Sequence, residues 1–402
     1  MAPKRNIGIL FLAHAVLGCQ APINVILGGL AGAVLASSRS LATLPVSVIV
    51  LASMFTAPVA SFVMGRYGRR AGFLIGALAG GIGGALAATA LVYGSFGLLI
   101  AGSIFSGVFT GFQGFVRFAA SDAVPDAMKA KAISWVLAAG LVSALAGPEI
   151  VRWFGDAFAP VPYAGAYAAV VIVNLIGAVV LLFLDIPPPP RRHPDAPAAR
   201  PLGELLRQPK LVAAILCGMI SYAVMSLVMT STPLAMTDHG FTSDHAADVV
   251  RWHVVAMFAP SFITGHVIAR FGHAAVIATG LGLLAVCAGI ALSGVELHQF
   301  YLALIALGFG WNFGFIGATS LLATAHRPEE QALIQGLNDF LVFGLVAAAS
   351  FGSGALLFVW GWAAVQYAAI PSVLVALAIL VWYQRQRIPG TGSQGPVTVA
   401  EE

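Results

Sequence analysis

From Leu211 to Met236 the chain runs without one charged side chain. Wound into an α-helix at 1.5 Å per residue, such a stretch is about 39 Å long, more than the ~30 Å hydrocarbon core of a bilayer. A helix can enter lipid because it satisfies its own backbone N–H and C=O groups internally. Eleven further apolar blocks recur along the chain. With the one above they give spans near 7–30, 42–64, 71–93, 96–118, 132–151 and 163–184, then 211–236, 247–269, 274–294, 299–323, 332–358 and 363–383. They are apolar all round and lack the period-two alternation of barrel strands. Charged residues make up 9% of the 402 positions, where a soluble domain carries roughly 25% to coat its surface. The chain is expected to be an all-α membrane protein of twelve transmembrane helices, with the lipid bilayer as its main partner.

Small residues let membrane helices approach closely, and Gly72, Gly76, Gly80, Gly83 and Gly84 make such a face on the third span. With both termini on one side, sixteen of the twenty Lys and Arg residues fall in segments on that side. The positive-inside bias makes that side cytoplasmic, and with it both termini. The net charge of +4 is accounted for by this bias and needs no nucleic-acid partner. The apolar run after Lys4-Arg5 continues well past Cys19, so the first block reads as an uncleaved span. Cys19, Cys217 and Cys287 lie within spans and form no CxxC pair.

The polar segment from Asp185 to Lys210, with four consecutive prolines at Pro187 to Pro190, reads as an extended linker. It divides the chain into a first half over 1–184 and a second over 211–384, followed by a cytoplasmic tail over 385–402. The halves resemble each other. Met54-Phe55-Thr56-Ala57-Pro58, Ser61-Phe62 and Gly65-Arg66-Tyr67-Gly68 are answered by Met257-Phe258-Ala259-Pro260, Ser261-Phe262 and Ala269-Arg270-Phe271-Gly272. A six-span repeat of this kind resembles the major facilitator fold, whose halves rock about a site near the membrane midplane. Gly65-Arg66-Tyr67-Gly68-Arg69-Arg70 is similar to the basic loop between spans two and three of that superfamily, which helps latch the halves together. Gly65 stands where that loop usually carries an acid. Arg117, with Asp122 just beyond, is the candidate substitute pairing, and a positive-inside anchor is the competing reading of these arginines.

Ionisable residues inside lipid are costly and mark functional positions. Arg117, Glu149 and Asp339 are the clearest, with His14, His253 and His266 among the histidines. Glu149 lies near the outer end of its span. Asp339 is open to two readings, a hydrogen bond with neighbouring Asn338 or a role in proton coupling. The gating or coupling candidates are therefore Arg66, Arg69, Arg70, Arg117, Asp122 and Asp339.

Met225 and Met229 on span seven, and His253 and Met257 on span eight, are each spaced i, i+4, which places both side chains on one helix face. Thioether and imidazole donors suit copper, Cu(I) above all, without an anionic ligand in the membrane. The same side chains also serve as ordinary packing in an apolar core. The run through Tyr222, Met225, Met229, Pro233 and Leu234, then Trp252-His253, Met257 to Phe262 and Gly265-His266, resembles the CcoA-like bacterial copper importers. Gly310-Trp311-Asn312-Phe313 and Gln335 to Phe340 extend the resemblance over essentially the whole chain. It implies copper import across the bacterial inner membrane in support of cbb3-type cytochrome c oxidase assembly, with Met225, Met229, His253 and Met257 as ligands. Copper would be cargo, with no cofactor held permanently, and a monomer is expected.

The competing expectation is a transporter of a small organic solute such as riboflavin or a drug. Gln20, Asn24, Gln113, Asn312 and Asn338 would then bond the cargo while the methionines pack. A membrane sensor that moves nothing is disfavoured, with no signalling domain or long tail to serve it. No Walker loop, nucleophile elbow or HExxH motif points to an enzyme.

Overall fold

The computed structural model describes residues 2–37, 41, 44–186 and 200–387. Arg39, Arg191, Arg192, most of the expected linker (187–199) and most of the tail (388–402) lie outside the described residues. Among those described there is no strand. The first half comprises α1 (Ala2–Leu17), α2 (Gln20–Leu35), α3 (Leu44–Tyr67), α4 (Arg69–Tyr93), α5 (Phe96–Gln113), α6 (Val116–Asp122), α7 (Lys129–Phe154) and α8 (Ala164–Leu182). After a short α9 (Leu202–Leu205) the second half follows as α10 (Pro209–Asp238), α11 (Ser243–Phe258), α12 (Ser261–Phe271), α13 (His273–Ser293), α14 (Leu297–Leu322) and α15 (Gln331–Arg387).

Fifteen helices make twelve spans because several are broken. Ten helical stretches are long and apolar enough to cross a membrane, counting α1 with α2 and α5 with α6 as single spans. The pair α11 and α12, bent by 41°, adds an eleventh. The 57 residues of α15 would reach about 86 Å as one rod, more than twice a bilayer. Gly361, at φ 80°, divides them into the eleventh and twelfth spans.

Each break has a local cause. Pro260 has no N–H to donate into the turn where α11 meets α12. Between α1 and α2, and again between α5 and α6, a glycine precedes a tightened turn. Cys19 N–H bonds the Val16 carbonyl at 3.1 Å and Phe115 N–H the Phe112 carbonyl at 3.1 Å, the i−3 pattern of a 3₁₀ turn.

The repeat is geometric as well as verbal. Gly68 and Gly272 open the helices after the basic loops with φ 87° and 83° and ψ 163° and 162°. This is a conformation that a Cβ disfavours. The glycine face of α4 packs as expected: a Cβ on Gly83 would stand 2.9 Å from the Gly102 carbonyl oxygen of α5. Leu78, Ile172, Leu175 and Val179 remain more than half exposed, an apolar belt of the kind that faces lipid in a membrane protein.

The two halves touch toward one end, the end that carries the start of α1, the end of α15 and the basic loops. There α3 lies against α15 and α7 against α11 and α12. A Cβ on Gly265 of α12 would stand 2.5 Å from Lys131 Cα of α7. The described margins of the linker are tied down there by side-chain bonds. Asn6 and Asp185 exchange bonds of 2.6 and 3.1 Å. Arg200 grips Glu330 through two bonds of 2.6 and 2.8 Å, because a fully buried carboxylate is costly unless paired.

A candidate site where the two halves meet

The helix breaks place polar and aromatic side chains at one depth. At 1.5 Å per residue, His14, Gln113, Tyr222, Phe258 and Trp311 all stand roughly 14–20 Å from the basic end of their spans. His14 Nδ1 and Gln113 Nε2 share a hydrogen bond of 3.1 Å that joins α1 to α5. Opposite them in the second half is an aromatic group. Trp311 stacks on Phe315 with ring centroids 5.2 Å apart, and meets Tyr222 and Phe258 edge-on at 5.6 Å each. Phe258 reaches across to Gly140 of α7, where a Cβ would collide with its ring. His14, Gln113, Tyr222 and Phe258 are half-buried, while the Trp311 indole N–H is buried without an acceptor.

Beneath this level the halves are latched. Arg117 of α6 pairs with Asp339 of α15 through Nη2 and Oδ1, and also donates to the Gly114 carbonyl at 2.9 Å. Its guanidinium lies over the Phe118 and Phe315 rings, 4.6 and 5.0 Å from their centroids. Arg69 binds Asp122 at 2.7 Å and Gln335 of the other half at 2.6 Å. Gln331 also donates to Asp122, at 2.9 and 3.0 Å. The expected pairing of Arg117 with Asp122 is thus replaced by two pairs, Arg117 with Asp339 and Arg69 with Asp122. Positions five apart on a helix point about 140° away from each other, so Arg117 and Asp122 serve different neighbours. Arg66 and Arg70 take no part in this latch and are exposed, Arg66 lying over the Tyr67 ring. A Cβ on Gly65 would stand 3.2 Å from that of Ala332 in the other half, so the two halves approach closely here as well.

A cavity of about 210 Å³ opens at the latched end between Asp122, Asp126, Lys129, His326 and Gln331. Burial holds the His326 imidazole below its ordinary pKa. Glu149, half-exposed, pairs with Arg152 at 3.3 Å, in keeping with an outer, interfacial place.

The two expected ligand pairs fall on adjacent helices, α10 and α11. Met225, His253 and Met257 are buried and Met229 is half-buried. They lie roughly 21–30 Å from the basic end, above the aromatic group. His253 bonds the Leu304 carbonyl through Nδ1 at 2.8 Å, while its Nε2 is buried without a partner. Among the described residues no three His, Cys, Asp or Glu side chains gather as a metal site, so a metal would rest on the thioethers and His253.

Of the amides proposed for an organic cargo, Gln113 alone is half-buried beside the aromatic group's level. Gln20 is enclosed in the first half, accepting from Asn174 at 2.8 Å and donating to Ser106 at 3.3 Å. Asn312 donates to the Met257 carbonyl and to Ser261, each at 2.6 Å, bracing the α11–α12 bend. Asn338 donates to Asp339 at 2.8 Å, and Asn24 is buried in α2. Tyr222 and Trp311 entered the sequence reading through family resemblance alone. Their aromatic grouping depends on the packing of α10 against α14.

Comparison with known proteins agrees with this architecture. The profile of the Major Facilitator Superfamily matches residues 8–338 and, overlapping, 214–400. The chain belongs to the Major Facilitator Superfamily. It is 43% identical to the riboflavin transporter RfnT of Brucella anthropi, over 94% of this chain and 96% of that one. Among solved structures it resembles the superfamily transporter FucP in its outward conformation, with TM-score 0.80 and 14% identity over 95% and 99% of the two chains. The human organic anion transporter MFSD10 aligns with TM-score 0.78 and 14% identity over 94% and 100%. The protein is a multi-pass membrane transporter and not an enzyme.

Proposed function

We propose that this transporter carries a small planar organic solute of the riboflavin class into the bacterial cell by alternating access. The observation that carries the reading is the 43% identity to a riboflavin transporter along almost the whole chain. The site chemistry suits such a cargo. Flat rings pack well against edge-on and stacked aromatics, and the Gln113 amide, the His14 imidazole and the unpartnered Trp311 N–H supply donors and acceptors for a heterocycle's polar edge. The basic end faces the cytoplasm by the positive-inside bias, in the bacterial inner membrane. The latch then closes the inner side and the site is reached from outside. The test is radiolabelled riboflavin uptake by a riboflavin-requiring bacterium without its own carrier, with and without this gene. Growth rescue and uptake are expected; uptake equal to that of empty cells sinks the reading.

A second reading, copper import, is favoured by one observation. His253 has one ring nitrogen fixed by the Leu304 carbonyl and the other free of any partner, the arrangement that orients a metal-binding imidazole. Met257 follows one turn later, with Met225 and Met229 on the adjoining helix. Radioactive copper uptake that disappears in His253→Leu at matched membrane levels is the outcome expected of this reading. Equal uptake in wild type, variant and empty cells removes it.

A further inference from the structure

A side chain of the first half is set into the backbone of span eight in the second. Ser134 of α7, wholly buried, accepts from the Gly265 N–H of α12 at 2.9 Å and donates to the Ser261 carbonyl. Gly265 and Ser261 stand four residues apart, so this donor and this acceptor are the two ends of one helical rung. A side chain inserted into such a rung bends a helix. Proline by itself does not break a span here. The helix α3 runs through Pro58 without interruption, whereas α11 and α12 meet at Pro260 with a bend of 41°.

Two other side chains brace the bend. Asn312 donates to the Met257 carbonyl and to Ser261 Oγ, and Thr264 donates to Asn312 Oδ1 at 2.6 Å. Both belong to the second half and travel with span eight. Ser134 belongs to the first half and must leave when the basic end opens. It can leave without stranding a polar group. The Gly265 N–H and the Ser261 carbonyl are natural partners of each other, and a helical serine can turn its hydroxyl to the carbonyl four residues back, here that of Ala130.

The bend aims Phe258, the last residue of α11. Its ring lies against Gly140 of α7 and edge-on to Trp311, with centroids 5.6 Å apart. The contacts follow in order along α7: Lys131 meets Gly265, Ser134 meets Ser261 and Gly140 meets Phe258. Straightening the span would re-aim α11 and carry the Phe258 ring off this line.

We infer that Ser134 is a positioning residue for the aromatic site. Inserted into span eight while the basic end is closed, it holds the bend that sets Phe258 against Gly140 and Trp311. Withdrawn as that end opens, it lets the rung close on itself, the span straighten and Phe258 turn away. The consequence for cargo rests on the riboflavin reading above; the placement of Phe258 does not.

The test uses the full-length protein with one fluorinated phenylalanine at position 258, read by fluorine NMR. The basic end is locked by a disulfide between Gly65→Cys and Ala332→Cys, whose Cβ atoms would stand 3.2 Å apart. Gly140→Ala, where the added carbon would collide with the ring, supplies the signal of a displaced Phe258. Ser134→Ala is expected to move the resonance toward that signal with the disulfide intact, and Ser134→Thr, which keeps the hydroxyl, to return it. In the same locked proteins, riboflavin binding read by its own fluorescence is expected to weaken about three- to tenfold in Ser134→Ala. A fluorine shift with no riboflavin binding in any variant upholds the role of Ser134 and removes the riboflavin reading. A resonance unchanged by Ser134→Ala overturns the inference. So does a disulfide that no longer forms without Ser134, which would make the residue one more closing contact.

Discussion

Arg69 of α4 holds Asp122 of its own half at 2.7 Å and Gln335 of the other half at 2.6 Å from the same Nη2 nitrogen. One buried guanidinium thus binds the basic loop, the end of span four and the start of span eleven. Arg69→Ala removes the tie and leaves Asp122 with Gln331 alone. A wholly buried pair broken in this way costs about 3–5 kcal/mol; with Asp122 24% exposed, about 1–3 kcal/mol is expected here. The loss falls on the conformation closed at the basic end. Reaction of a bulky thiol reagent with Ala332→Cys should speed up in Arg69→Ala; an unchanged rate contradicts the latch.

Gly265→Ala tests the close approach of the halves at α7 and α12. The added carbon would meet Lys131 Cα at 2.5 Å and the Ala130 carbonyl oxygen at 2.7 Å. Both are backbone atoms that cannot swing away, so overpacking should cost about 1–3 kcal/mol. Thermal unfolding in detergent should shift downward, whereas Gly282→Ala, which would meet nothing within 4 Å, should leave it unchanged.

The two cargo readings separate by substitution. Gln113→Leu removes a hydrogen-bonding group worth about 0.5–1.5 kcal/mol. It should raise the riboflavin KM by about three- to tenfold, while His253→Leu leaves riboflavin uptake near wild type. The reverse pattern, with copper uptake lost in His253→Leu and indifferent to Gln113→Leu, would assign the metal as cargo.

His326 gives the latched end a pH response of predictable sign. Its imidazole is held below the ordinary value by burial, so the folded form favours the neutral ring. That contribution is complete above about pH 6.5, the unfolded value, and is lost as pH falls through the lower folded value. Acidification should therefore lower the melting temperature of wild type more than that of His326→Gln; parallel curves would show that His326 is not a source of the response.

Much of this architecture is written along the chain itself. The twelve spans, the two halves and the basic end follow from apolar run length, from the recurrence of Met-Phe, Ala-Pro and Arg-aromatic-Gly, and from where Lys and Arg fall. These are local constraints, set by the thickness of hydrocarbon and by the cost of exposing a backbone to it. The i, i+4 spacing of Met225 with Met229 and of His253 with Met257 is legible for the same reason. What each side chain faces is not. Gln20 finds Ser106 and Asn174, 86 and 154 positions away, and so becomes internal bracing rather than a cargo ligand. Arg117 bypasses Asp122, five residues along its own helix, for Asp339, 222 positions on. A helix fixes only the direction in which a side chain leaves it. Which charge, ring or carbonyl stands in that direction is decided by how the two halves pack, and the latch and the aromatic group above it exist only once they have.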